Sequence, residues 1–86
     1  MSTDFSEQAL LDVAYWNRND PKKVDKIIAI LRDIEKRPFA GIGKPEPLKH
    51  DLQGYWSRRI NREHRLVYKV ENDVILVVSC RFHYTK

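Results

Sequence analysis

The sequence predicts an α+β domain in which a helical hairpin packs on one face of a small, antiparallel-rich β-sheet. Three observations predict it. Apolar residues recur every three or four positions through residues 6–37, and from residue 55 onward they recur every second position. Between these two regimes, residues 38–54 are crowded with glycine and proline. Helices first and strands afterwards, without a βαβ alternation, is the order of a layered α+β domain and not of a parallel, doubly wound sheet.

The elements follow in order. After a short, mostly polar start at "MSTDF", Ser6 is placed to cap a first helix over "SEQALLDVAYWN", with Leu10, Val13 and Ala14 as its apolar stripe. Asp20-Pro21 restarts the chain as an N-cap followed by proline at the first helical position. In "KKVDKIIAILRDIEKR", Val24, Ile27, Ile28, Leu31 and Ile34 define a second amphipathic helix, which Pro38 stops. Gly41, Gly43, Pro45 and Pro47 then make residues 38–54 a loop or an extended arm. Within that arm lies "KPEPLKH", where each proline disfavours the helical basin in the residue before it, so Lys44 and Glu46 are expected to be extended.

"YWSRRI" is a short strand, and "HRLVYKV" alternates His64, Leu66, Tyr68 and Val70 with Arg65, Val67 and Lys69. "END" is a turn, and "VILVVSCRFHY" begins apolar on both faces, which marks a central strand. Alternation there sends Val74, Leu76, Val78, Cys80, Phe82 and Tyr84 towards the helices. Ile75, Val77, Ser79, Arg81 and His83 fall on the other face. With Leu66, Tyr68 and Val70 also turned to the helices, Arg65, Arg81 and His83 share the open face. The expected surface is a cationic concavity containing one imidazole.

With 86 residues, the chain is long enough for one core, so residues 1–86 read as a single domain. A net charge of +4 favours an anionic partner, a condition that RNA, DNA, an acidic protein or a membrane surface all meet. Cys80 is the single cysteine, so no disulfide forms within the chain, and its apolar surroundings make it a small packing residue. Neither a targeting segment nor a long apolar run is evident, which points to a cytoplasmic protein without a membrane partner.

Four kinds of chemistry suit a basic surface of this sort. A metal site requires converging ligands, and His50, His64 and His83 lack the spacing for one, so neither metal nor cofactor is expected. Nucleophilic catalysis of the Ser/His/Asp kind lacks a GxSxG turn. Phosphate binding requires only the abundant lysines and arginines. Metal-free cleavage of RNA needs a base for the 2′-hydroxyl, a cation for the phosphorane and an acid for the 5′-oxygen. Glu46, Arg65 and His83 are the right residue types. A solvated glutamate, a salt-bridged arginine and an exposed terminal histidine would look the same, and composition leaves the choice open.

The segment "RPFAGIGKPEPLKHDLQGYWSRRINREHRLVYKV", followed by "SCRFHY", resembles the YoeB-type toxins of the RelE superfamily. The likeness extends over essentially the whole chain and is strongest from Arg37 to Tyr84. It implies the RelE-like microbial ribonuclease fold and the toxin of a type II toxin–antitoxin system. It also implies an endoribonuclease that cleaves messenger RNA in the A site of the 70S ribosome and so inhibits translation. Glu46 is then the general base, Arg65 the phosphorane stabiliser, His83 the general acid, and Tyr84 an orienting group for the scissile nucleotide. Lys44, Lys49, Arg59 and Arg81 supply RNA contacts. The implied partners are a YefM-like antitoxin, the ribosome with its message, and a second copy of the toxin. The polar "MSTDF" departs from the apolar first strand usual in such toxins and implies a short edge strand. Two alternatives remain: a gyrase-directed toxin of the same fold, and a non-catalytic ribosome- or nucleic-acid-binding domain.

Overall fold

Ser6 fixes the start of the helical layer. Its Oγ accepts a hydrogen bond from Ala9 N–H at 3.0 Å and donates one to Val78 O at 2.6 Å, so one hydroxyl caps a helix and ties it to the last strand. The computed structural model describes residues 1–82. Its elements are β1 (Ser2–Phe5), α1 (Glu7–Asn19), α2 (Pro21–Lys36), β2 (Glu46–Pro47), β3 (Trp56–Arg59), β4 (Arg65–Glu71) and β5 (Val74–Ser79). A 3₁₀ turn at His50–Leu52 interrupts the arm between β2 and β3. The sheet order is β1-β5-β4-β3-β2, with β1 parallel to β5 and the other pairs antiparallel. The expected α+β architecture is present. The polar start is a four-residue edge strand, and the proline arm contributes a two-residue edge strand at the other side.

The helical stripes differ from the apolar periodicity in an instructive way. In α1 the buried residues are Ala9, Asp12 and Trp16, with Val13 packed against the core. Leu10 is 57 % exposed and Ala14 faces solvent, so neither belongs to the stripe assigned to it. Two polar groups set the rotation. Asp12 Oδ2 accepts from Cys80 N–H at 3.0 Å, and Trp16 Nε1 donates to Cys80 O at 2.8 Å. A pattern that counts only apolar side chains cannot register a buried carboxylate as inward-facing.

Helix α2 buries Ile27, Ile30 and Ile34, each contributing about 1.5–3 kcal/mol of hydrophobic stabilisation. Val24 and Leu31 pack beside them, while Ile28 is 43 % exposed. Asp20 stands at the N-cap position, but its carboxylate pairs with Lys23 Nζ at 2.8 Å and makes no side-chain bond to the helix backbone.

Strand parity holds on β4 and is reversed on part of β5. Tyr68 and Leu66 are fully buried in the core, as expected. On β5, however, the core takes Ile75 and Val77, not Val74, Leu76 and Val78. The cause is a bulge: Tyr68 pairs with Val77 and Val67 with Ser79, leaving Val78 as an extra residue. One inserted residue inverts every side chain on one side of it. Past the bulge Cys80 again lies in the core, where the sequence reading placed it.

Candidate active site on the open face of the sheet

The site begins with a turn. Gly43 has φ +81° and Lys44 φ +50°, so Lys44 is left-handed and not extended as its neighbouring proline led us to expect. That turn brings Gly43 O to within 2.7 Å of Arg59 N–H. A β-carbon at Gly43 would sit 3.1 Å from Arg59 O, which leaves little room for any other residue. Beyond the turn Glu46 is extended, as expected, and pairs with Ser57.

Register then carries Glu46 across the sheet. Glu46 pairs with Ser57, Ser57 with Val67, and Val67 with Ser79, so these four share one face. Arg59 and Arg65 are paired directly and lie on the same face. It is the face away from the helices, because Leu66 and Tyr68, of opposite parity, are in the core. Like charges directly opposite on adjacent strands destabilise a sheet. Here Arg65 Nη1 lies 3.1 Å from Asn61 O, 3.1 Å from Arg62 O and 3.2 Å from His64 O, and these carbonyls hold the guanidinium. Burial and the Arg59 charge pull the Arg65 pKa below the ordinary arginine value, and the Glu46 carboxylate offsets part of that. Arginine remains cationic throughout. The arrangement is therefore a fixed cation with a carboxylate and a second guanidinium beside it, a geometry suited to a phosphodiester.

The remaining candidates fall at different places. Lys44 and Lys49 are exposed, Lys49 at the foot of the 3₁₀ turn. Arg81 stacks its guanidinium carbon 3.4 Å from the Tyr15 ring centroid and 4.3 Å from that of Phe82, and among the described residues its buried Nε has no acceptor. Those two rings belong to α1 and to its own neighbour. His83 and Tyr84 lie outside the described residues. Among the described residues, no three His, Cys, Asp or Glu side chains come together as a metal site would require. Nor is any helix there long and apolar enough to cross a membrane.

Two residues that the sequence reading did not use matter to this site. Arg58 is fully buried and bonds Asp33 Oδ2, Tyr68 Oη, and the carbonyls of Arg37, Ala40 and Ile42. It ties the strand beside Arg59 to the loop that leads to Glu46. A signal existed, since alternation in "WSRR" puts Arg58 on the same inward face as Trp56. The other is His64, whose Nδ1 accepts the N–H of Phe82 at 2.7 Å.

A helical hairpin on one face of a five-stranded mixed sheet is shared with small bacterial toxins of known structure. The YoeB/ParE toxin from Agrobacterium tumefaciens superposes with a TM-score of 0.94 at 46 % identity, over 98 % of this chain and all of that one. The YoeB dimer from Staphylococcus aureus matches with a TM-score of 0.92 at 49 % identity, over 98 % of both chains. The heterotetrameric YoeB–YefM complex from the same organism matches at 0.89 and 51 % identity, over 95 % of both chains. Toxin YoeB of Escherichia coli O6:H1 is 51 % identical over 84 residues, covering 98 % of this chain and all of the relative. The chain matches the model of the YoeB-like toxins of bacterial type II toxin–antitoxin systems over residues 5–84, and it belongs to that family.

Proposed function

We propose that this toxin is a metal-free endoribonuclease that cuts messenger RNA in the ribosomal A site. The observation that carries the reading is the convergence of Glu46, Arg59 and Arg65 on the open face of the sheet. In this mechanism Glu46 takes the proton of a 2′-hydroxyl, and the freed oxygen attacks the adjacent phosphorus. Arg65, already held by three carbonyls, neutralises the charge that builds on the phosphorane without reorganising at that moment. His83 gives a proton to the departing 5′-oxygen, and Tyr84 orients the nucleotide. The products are a 2′,3′-cyclic phosphate and a 5′-hydroxyl end. Arg59, Lys44 and Lys49 contribute phosphate contacts that strengthen binding without reading sequence, and Arg81 is assigned a similar role from its stacked position at the edge of α1.

A ribonuclease acting on a cell's own messages has to be held inactive, and the net charge of +4 suits an acidic, YefM-like antitoxin segment folded over the basic face. The Staphylococcus aureus complex supports that partner, and the dimer from the same organism supports self-association. The test is a translation reaction with end mapping of the message, comparing wild type with His83→Gln. Cuts within the A-site codon that need ribosomes and vanish in the variant are expected. Arrest of translation with intact message would overturn the nuclease reading in favour of a toxin that only binds.

A further inference from the structure

Phe82 has φ +67°, a left-handed conformation that a bulky non-glycine residue adopts only when its surroundings impose it. Two backbone bonds impose it. Its N–H donates to His64 Nδ1 at 2.7 Å, and its carbonyl accepts from Arg65 N–H at 3.1 Å. Two residues earlier, Cys80 N–H and C=O are taken by Asp12 and Trp16 of α1. The chain beyond β5 is therefore gripped at two residues, from α1 on one side and from the start of β4 on the other. Phe82 is itself 60 % exposed, so packing of its own ring does not explain the strained backbone.

We infer that His64 is a positioning residue for the catalytic acid: its imidazole holds Phe82, the residue that precedes His83 in sequence, in its left-handed conformation. The inference rests on the assignment of His83 as general acid. An Nδ1 that accepts carries no proton, so the ring is the Nε2–H tautomer. Nε2 faces Glu63 Oε1 at 3.9 Å, and the ring lies edge-on to Trp16 with centroids 4.8 Å apart. His64, with its neighbour Arg65, links the acid to the cation: Arg65 gives its side chain to the phosphorane and its N–H to Phe82. Anything that turns the imidazole releases the left-handed φ of Phe82, directly before the acid in sequence. A misplacement of about 1 Å at a reacting group can cost on the order of 100-fold in rate.

The test compares His64→Leu, His64→Asn and His64→Gln with wild type in single-turnover cleavage on programmed ribosomes. Asparagine presents an oxygen near the Nδ1 position, glutamine near Nε2, and leucine neither. The Leu and Gln variants are expected to lose roughly 10- to 100-fold in the maximal rate, with half-saturation by ribosomes unchanged. Asn is expected to restore most of that rate. Equal losses in all three variants, or a wild-type rate in the leucine variant, would overturn the inference. If the leucine variant does not fold, the Asn and Gln pair decides. Nitrogen-detected histidine NMR of the wild type gives an activity-free reading, because a protonated Nδ1 on His64 rules the clamp out. His83→Gln is run alongside. Full cleavage by that variant would sink the acid assignment itself, whereas a dead His83→Gln beside a fully active His64→Leu would sink only the clamp.

Discussion

Arg58 Nη1 donates to Asp33 Oδ2 at 2.6 Å, joining a strand residue that is fully buried to a helix residue 25 positions earlier in the chain. Asp33 in turn accepts from Arg37 Nη2 at 2.6 Å and from Ile42 N–H at 3.0 Å. This pair and its carbonyl partners pin the loop between α2 and β2 onto β3, which is what delivers Glu46 to the open face.

Removing the guanidinium should therefore cost stability as well as site geometry. Arg58→Met leaves the Asp33 carboxylate without its buried partner and removes the guanidinium donor from three loop carbonyls. A loss of about 3–5 kcal/mol is expected from breaking a buried pair on one side. Urea denaturation followed by tryptophan fluorescence measures it. Arg58→Lys should rescue little, because one ammonium cannot reach five acceptors in a planar fork.

The same pair predicts acid sensitivity. Hydrogen bonds from Arg37 and Arg58 hold the Asp33 carboxyl well below its ordinary value of 3.8. The folded state binds that proton less readily than the unfolded chain. The contribution of Asp33 is thus complete above pH 3.8 and is lost as pH falls from there towards the lower folded value. Thermal melts between pH 6 and pH 2 should show a decline that is flatter in Asp33→Asn, whose midpoint should already be lower at pH 6. A wild-type slope in that variant would assign the decline to other carboxylates.

Glu46→Gln keeps the shape of the side chain and removes its basicity. Cleavage on ribosomes should fall by about 10²–10⁴, the usual scale for a general base, with the melting temperature unchanged because Glu46 is exposed on a two-residue edge strand. Cleavage at the wild-type rate would move the base elsewhere.

Cys80 should be inert in the folded protein. Burial, with the Asp12 carboxylate nearby, pushes its thiol from an ordinary 9.0 up to about 12. The native state keeps a proton that the unfolded chain gives up, so this contribution to stability is complete below pH 9.0 and is lost as pH rises towards 12. A thiol reagent at pH 8 should label the chain only at the rate of unfolding. Immediate labelling would show that the α1 contact opens readily.

Much of the fold was legible because short-range rules wrote it. Ser6, Pro21 and Pro38 delimit the helices, and the isoleucines of α2 mark its buried face by spacing alone. The stripe of α1 was not legible, since two of its inward residues act through polar bonds to Cys80. The β5 face was misread from Val74 to Val78, because the bulge at Val78 is a property of two paired strands and apolar residues on both faces give no parity signal. The left-handed Lys44 was missed because the Gly43–Arg59 bond outweighs the local preference of a residue before proline.

The sequence by itself determined the residue types of the site, the order of helices and strands, and the extended Glu46, since each depends on neighbours a few positions away. Tertiary structure decided which of those residues meet. Glu46, Arg59 and Arg65 come together only through strand register, and Arg81 stacks on the ring of Tyr15, 66 positions away. The grip of His64 on Phe82 joins positions 18 apart. Contacts at that range form only once the sheet has fixed its pairings, and no local pattern encodes them.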